Sequence, residues 1–272
     1  MAIGNWPASF MQRMGGSLPD DYFCFDTETT GFSRDKDVIV EWGHVLIRDR
    51  KPANKINLVI NWLASDLVPH QFIIDKLAKV KRGMALHGKH YRITPQVMEE
   101  EGVEPEKALP FIYDMCRQIQ DNNELFVAHN GWNYDATMVY NHFESFGVGD
   151  FAWRDDDMFD TGAVIKALAL VDNPKSYPRP DESLRSYFKR IIAWRVKGLK
   201  WGLDGPAVAG MNLEEFGVDP NLMHTAGNDA LAVHGLMERI RQHQKTTPNA
   251  KKSRTKPGTS TTKRRRRGQR NR

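Results

Sequence analysis

Residues 22–32 read Tyr22-Phe23-Cys24-Phe25-Asp26-Thr27-Glu28-Thr29-Thr30-Gly31-Phe32. The apolar run from Tyr22 to Phe25 has the composition of a buried strand, and two carboxylates separated by one threonine stand at its end. Successive side chains of a strand point to opposite faces, so Asp26 and Glu28 project on the same side and can share a ligand. Two ionised carboxylates held a few ångströms apart repel each other. The usual relief is a raised pKa or a hard cation that takes oxygen ligands. Alone, the D-x-E pair fits a solvated turn as well, so its meaning depends on what the rest of the chain brings to it.

The segments on either side extend a sheet. Residues 37–47, DVIVEWGHVLI, are rich in β-branched side chains and follow an Asp35-Lys36-Asp37 turn. In INLVINW, residues 56–62, Ile56, Leu58, Ile60 and Trp62 alternate with their neighbours, which predicts a third, antiparallel strand in meander order. Phe72, Ile73, Leu77 and Val80 then recur at helical spacing, and a helix is expected from near Pro110, since proline suits a first turn. Glu124–Ala128 reads as a short buried strand. Helices are expected at 134–146, 160–171, 182–192 and 229–242. Strands first and strand–helix alternation afterwards predict a layered sheet of the α/β or α+β kind.

Composition narrows the class of protein. The cysteines, Cys24 and Cys116, form no C-x-x-C pair, which argues against a disulfide framework or a thiolate zinc site and fits a reducing intracellular compartment. The location expected is cytoplasmic, or nuclear in a eukaryote. Residues 1–20 lack an apolar signal core, and no run reaches the ~18 apolar residues of a membrane span. The net charge of +5 divides unevenly: residues 245–272 hold 12 Lys/Arg and no Asp/Glu, leaving 27 basic against 34 acidic side chains before them, a balance of −7. With one alanine as its apolar content, that tail cannot offset its ordering entropy and is expected to be disordered. The organisation expected is an extension at 1–19, one domain at 20–244 and a basic tail at 245–272.

Two further stretches carry candidate chemistry. In Phe126-Val127-Ala128-His129-Asn130-Gly131-Trp132-Asn133-Tyr134-Asp135 a buried strand enters a polar loop and a helix opens, with Asn133 as expected N-cap and Asp135 at the mouth. An Asp there also complements a helix dipole, whatever its other role. In His224-Thr225-Ala226-Gly227-Asn228-Asp229 a helix beginning at Gly227-Asn228 would leave His224 on the loop and Asp229 in the first turn, close enough to serve one site. A histidine before a helix is as readily structural.

The order of these three stretches, D-x-E, D, then H-x(4)-D, resembles the exonuclease motifs of the DnaQ-like, or DEDD, superfamily in its histidine-containing (DEDDh) branch. Over residues 20–242 the likeness extends to Val38-Ile39-Val40-Glu41-Trp42-Gly43, to His90-Tyr91-Arg92-Ile93-Thr94 and to Phe159-Asp160-Thr161. The segments 51–89 and 172–222 are longer than a minimal member needs, and GLKWGLDGPAVAGM at 198–211 has no counterpart we can place. The resemblance implies an α/β, ribonuclease H-like mixed sheet, three antiparallel strands followed by parallel ones, flanked by helices.

It also implies a reaction. Asp26, Glu28, Asp135 and Asp229 would hold two divalent cations, Mg²⁺ or Mn²⁺, that activate water and stabilise the phosphoryl transition state, with His224 as general base. Thr27, Thr29, Thr30, Gly31, His90 and Asn130 are the substrate-binding candidates. Phe32 and Trp132 are candidates for base stacking, with core packing favoured for Trp132. Substrates would be single-stranded or frayed DNA or RNA 3′ ends, DNA slightly preferred, releasing nucleoside 5′-monophosphates; a polymerase or other replication protein is a partner implied by the proofreading members. Lys263, Arg264, Arg265, Arg266 and Arg267 would capture phosphates through counterion release, although a solvated extension or a nuclear-localisation signal reads equally from the same run. The rival is a nucleic-acid-binding or polymerase-associated adaptor that keeps the fold without the activity.

Overall fold

The structure, a computed structural model, describes residues 18–170, 173–179, 181–195, 202–203 and 212–246. The N-terminal extension before Leu18, residues 198–201 and 204–211 of the unplaced stretch, and the tail from 247 onward with Lys263–Arg267 lie outside the described residues. One five-stranded sheet is built from β1 (Tyr22–Thr29), β2 (Ile39–Arg48), β3 (Lys51–Val59), β4 (Phe126–Ala128) and β5 (Met158–Asp160) in the order β3-β2-β1-β4-β5. β1 and β3 are antiparallel to β2, whereas β4 and β5 are parallel to β1. This is the mixed, ribonuclease H-like sheet expected. The helices are α1 (His70–Leu86), α2 (Pro95–Glu101), α3 (Pro105–Asp121), α4 (Asp135–Ser145), α5 (Thr161–Ala169), α6 (Leu184–Ala193) and α7 (Ala226–Thr246).

The alternation of β1 decides what each layer receives. Tyr22, Cys24, Asp26 and Glu28 share the face toward α7, where the Tyr22 hydroxyl meets His234 Nδ1 at 2.8 Å. Phe23, Phe25 and Thr27 face the other layer. There Phe25 stacks on Trp42 with centroids 5.1 Å apart and on Trp153 at 6.0 Å, all three rings buried. Burying a ring of this kind stabilises by roughly 2–3 kcal/mol, and this aromatic layer links β1 to α4, because Trp153 Nε1 donates to the Ala136 carbonyl at 2.8 Å.

Several boundaries differ from the sequence expectations, each for a physical reason. β3 begins at Lys51 and ends at Val59, because Asp49 and Arg50, at φ 48° and 65°, make a two-residue hairpin turn between Arg48 and Lys51. Neither residue is a glycine or asparagine, so the turn carries no compositional mark. Trp62 leaves the sheet in a 3₁₀ turn, Trp62–Ala64, and its indole Nε1 donates to the Ile39 carbonyl at 2.7 Å. The helix expected near Pro110 starts at Pro105 and continues through Pro110. An internal proline forfeits a hydrogen bond, but the buried stripe Ala108, Leu109, Ile112, Cys116 and Ile119 holds α3 in place. Tyr134, not Asn133, occupies the N-cap position of α4, without a side-chain cap bond. α7 opens at Ala226, one residue before the expected pair. No helix of the described residues is long and apolar enough to cross a membrane.

Candidate active site

β1 and β4 are parallel, so their C-terminal ends lie at the same edge of the sheet. The loops that leave them, 30–38 and 129–134, meet there, as is usual for a crevice in an open α/β sheet. From β1, Asp26 and Glu28 enter it together, half-buried, beside the β2 residues Gly43 and Glu41. Gly43 is required by a close approach: a Cβ there would fall 2.0 Å from the Ala226 carbonyl carbon and the Gly227 nitrogen. The start of α7 therefore rests directly on β2, and Asp229 in its first turn is brought to the Asp26 and Glu28 face.

His224 lies on the preceding loop at φ 69°, in the left-handed region, with its backbone N–H donating to Asp229 Oδ1 at 3.2 Å. Its Nδ1 is 4.0 Å from Asp229 Oδ2. Glu28, His224 and Asp229 each offer a ligand atom, all within 4.8 Å of one another. Asp135 arrives from the opposite layer as the first residue of α4, buried, and Thr27 Oγ1 donates to its Oδ1 at 2.6 Å. The five residues named from the sequence are thus brought to one place.

The electrostatics follow from that crowding. Burial first, then the charges of Asp135, Asp229, Glu28 and Glu41, raises the Asp26 carboxyl well above the usual range. Burial likewise raises Glu28, with Asp229, Glu41 and Asp135 adding to it and Lys89 opposing. Asp135 is pushed up to about 7 by burial, although the Thr27 hydrogen bond works against the rise. Such a cluster gains from positive charge, and its donors are the oxygens that hard divalent cations take.

The substrate-binding candidates are placed less uniformly. Thr27 is buried with its hydroxyl committed to Asp135, so it orients a site carboxylate instead of presenting itself to the cleft. Thr30 is buried too, donating to Asp37 Oδ1 and accepting from Val38 N, each at 3.0 Å. Thr29 donates to the Gly31 carbonyl at 2.7 Å and meets the Tyr134 hydroxyl at 2.6 Å. His90 is exposed on the loop before α2. Asn130 sits at φ 67°, and its buried Oδ1 has no hydrogen-bond partner. Trp132 is core, 1% exposed, with Nε1 donating to the Met158 carbonyl at 3.0 Å, whereas Phe32 is 95% exposed on the loop after β1.

Sequence reasoning missed the supports of the site. Glu41 is buried: Oε2 accepts from Ala226 N at 2.9 Å, and Oε1 accepts from Asn57 Nδ2 at 2.6 Å and from Arg92 at 3.1 Å. It anchors the start of α7, and the signal was a charged residue inside an otherwise apolar strand, VIVEWG. Asp160, fully buried, accepts from the backbone N–H groups of Asn130 and Ala163, each at 3.0 Å, and of Trp132 at 3.2 Å, which fixes the turn that aims α4. Tyr91 and Tyr134 secure the loop after β1 through the Thr29 and Gly31 carbonyls.

No protein-family model matches the sequence, and no curated protein matches it. Solved structures do match. The zinc-bound form of the E. coli exonuclease I–single-stranded DNA complex superposes with a TM-score of 0.50 at 14% identity, over 84% of this chain and 42% of that one. A product-bound exonuclease I gives 0.50 at 15% identity over 84% and 45%, and E. coli exonuclease I with a 5cy-dA13 oligonucleotide gives 0.50 at 16% over 82% and 41%. The chain spans less than half the length of these proteins. At such identities the likeness is one of fold: the chain has the mixed-sheet, ribonuclease H-like fold of the exonuclease I structures.

Proposed function

We propose that the chain is a divalent-metal-dependent 3′→5′ exonuclease of the histidine-containing branch, cutting single-stranded or frayed ends, DNA in preference to RNA, and releasing nucleoside 5′-monophosphates. The observation that carries this reading is the convergence of Asp26, Glu28, Asp135 and Asp229 with His224 at one sheet edge, where burial, with the charges of the neighbouring acids, raises the Asp26 and Glu28 carboxyls and burial raises that of Asp135. The donor set fits hard cations such as Mg²⁺ or Mn²⁺. In this reading the four carboxylates hold two of them, which when bound supply an activated water and neutralise charge on the phosphoryl oxygens.

The chain's own residues do the rest. The His224 imidazole accepts the proton of the attacking water, and the Asp229 carboxylate 4.0 Å away favours the imidazolium that results. Thr27 fixes the Asp135 carboxylate and Glu41 fixes the start of α7, so the acids are preorganised from both layers. Exonuclease I, the protein whose fold this chain shares, has been seen with single-stranded DNA and with a zinc ion, which supports the substrate class and the need for metal.

The test is a 5′-labelled single-stranded DNA and a matched RNA, each incubated with Mg²⁺ or Mn²⁺. The expected outcome is stepwise shortening from the 3′ end, faster on DNA, abolished by EDTA and by Asp26→Ala. An oligonucleotide bound by folded protein yet left intact would refute the proposal and favour the adaptor reading.

A further inference from the structure

A groove of about 440 Å³ runs between α4 and α6, on the side of α4 turned away from the sheet. Arg185 and Lys189 are four apart on α6 and therefore share its groove face. Arg34 enters from the loop after β1, its guanidinium donating to the Asn133 carbonyl at 3.0 Å while Asn141 Nδ2 donates to the Arg34 carbonyl at 2.9 Å. Tyr140, 39% exposed, presents a ring from α4, and Trp132 forms part of the floor beneath Arg185, whose guanidinium lies 5.1 Å from the indole centroid.

We propose that this groove is a binding track for the phosphodiester backbone of a single-stranded nucleic acid, carrying the strand away from the carboxylate site on Arg34, Arg185 and Lys189. The inference rests on the exonuclease reading and extends it. A site crowded with carboxylates repels a polyanion, so a strand whose 3′ end lies there gains from cations a short distance upstream. The groove begins beside Asn133, two residues before Asp135, and Tyr140 lies five residues along α4, or ~7.5 Å of helix rise, from that carboxylate.

The three cations are weakly compensated. Arg185 meets Asp155 at 3.9 Å, where the carboxylate is 60% exposed and screened by solvent. Asp35 stands on the same loop as Arg34, its Oδ1 3.5 Å from Asn141 Nδ2, and Asp156 accepts from the Leu184 N–H at 3.4 Å. Burial, then Arg185 and Arg34, pushes the Lys189 ammonium below its ordinary range against the opposing pull of Asp155. A phosphate between them would relieve that repulsion. The exposed tyrosine ring favours a nucleic acid over an acidic polypeptide, since it offers a surface on which a base can stack.

The test uses the full-length protein with Arg34→Glu combined with Lys189→Glu, and with the milder Lys189→Gln. Binding of a labelled single-stranded oligodeoxynucleotide is measured against salt in EDTA, and hydrolysis of the p-nitrophenyl ester of thymidine 5′-monophosphate, which reaches the carboxylate site alone, is measured with Mn²⁺. The double variant is expected to lose on the order of tenfold in oligonucleotide affinity, and its salt slope to flatten by about 1–1.5, while ester hydrolysis falls by less than the affinity does and any drop in melting temperature from the lost Arg34–Asn133 bond is absent in Lys189→Gln. Lys189→Gln should fall between the two. Wild-type affinity and slope in the double variant would overturn the track, and so would displacement of the oligonucleotide by poly-glutamate at equal charge concentration. If the wild type binds the oligonucleotide through Arg34 and Lys189 yet hydrolyses neither substrate, the track stands and the exonuclease reading falls.

Discussion

Asp135→Asn is predicted to stabilise the metal-free protein while abolishing hydrolysis. Asparagine keeps the Oδ1 that accepts the Thr27 hydroxyl at 2.6 Å, so the substitution removes charge without removing the bond. Burial, with a contribution from the charge of Asp160, holds this carboxyl at about 7 against an ordinary 3.8. An acid whose pKa is raised by folding costs nothing at a pH below its unfolded value; the cost grows as pH rises between the two and is complete above the folded one. Keeping Asp135 ionised therefore costs at most on the order of 4 kcal/mol. Neighbouring carboxyls can take up part of the proton, which lowers the figure to roughly 2–4 kcal/mol. At about pH 8 in EDTA the variant should melt roughly 5–10 °C above the wild type. At about pH 5, where the wild-type carboxyl is protonated already, most of the gain should vanish. Saturating Mg²⁺ should raise the wild-type melting temperature and leave that of the variant nearly unchanged. Thermal and urea melts at both pH values read the result. A gain independent of pH, or a loss at pH 8, would refute the claim that Asp135 sits in a charge-crowded site.

Glu41→Gln should lower kcat by about tenfold to a hundredfold, with less effect on KM, because an amide cannot hold Ala226, Asn57 and Arg92 together; steady-state kinetics showing native kcat would remove Glu41 as an anchor of α7. Gly43→Ala places a methyl group 2.0 Å from the backbone of Ala226 and Gly227, so it should cost about 1–3 kcal/mol or more and reduce turnover as α7 shifts, whereas native melting and turnover would contradict that packing. His44 and His142 are buried, and burial pushes each down to about 4 from 6.5, so the stability they allow is complete above pH 6.5 and is lost as pH falls toward 4. Each contributes up to about 3 kcal/mol to that loss; denaturant melts of Asp135→Asn, where one opposing carboxyl is gone, should show it, and a flat profile from pH 6.5 to 4 would not fit.

The parts of the site that were legible in the sequence are those whose placement depends on local rules. Asp26 and Glu28 share a face because strands alternate, and Asp229 lies in a first turn because a helix must open after His224. The hairpin turn Asp49-Arg50 was not legible: both residues take positive φ without the glycine or asparagine that normally marks it, so β3 was expected five residues too late. Pro110 misled for a related reason, since a preference for the first turn is a local tendency and the buried stripe of α3 is a tertiary gain that outweighs it. Glu41 and Asp160 were visible as acids in apolar strands, but the partners through which they hold the helices are backbone groups, Ala226 for Glu41 and Asn130, Trp132 and Ala163 for Asp160. The side chains that also bind Glu41, Asn57 and Arg92, are 16 and 51 residues away, so no local pattern announces either set.

Those supports also explain how so much like charge is held together. Asp26 and Glu28 come from β1, Asp229 from the layer of α7 and Asp135 from the layer of α4, so a shift of either helix against the sheet would relieve their repulsion by pulling the cluster apart. The fold resists that shift with hydrogen-bond donors and close packing: Thr27 on Asp135, Ala226 N on Glu41, the contact of Gly43 with the start of α7, and the Asp160 turn behind α4. Lys89 lowers the Glu28 carboxyl, yet burial and three neighbouring carboxylates together outweigh it. A fixed lysine or arginine in the middle of the cluster would relieve the repulsion permanently and leave little for a mobile cation to gain. On the proposed metal-dependent reading, holding Asp135 by a neutral donor instead leaves the cluster something to gain from a bound cation, so metal affinity would measure how firmly the two layers are fixed to β1.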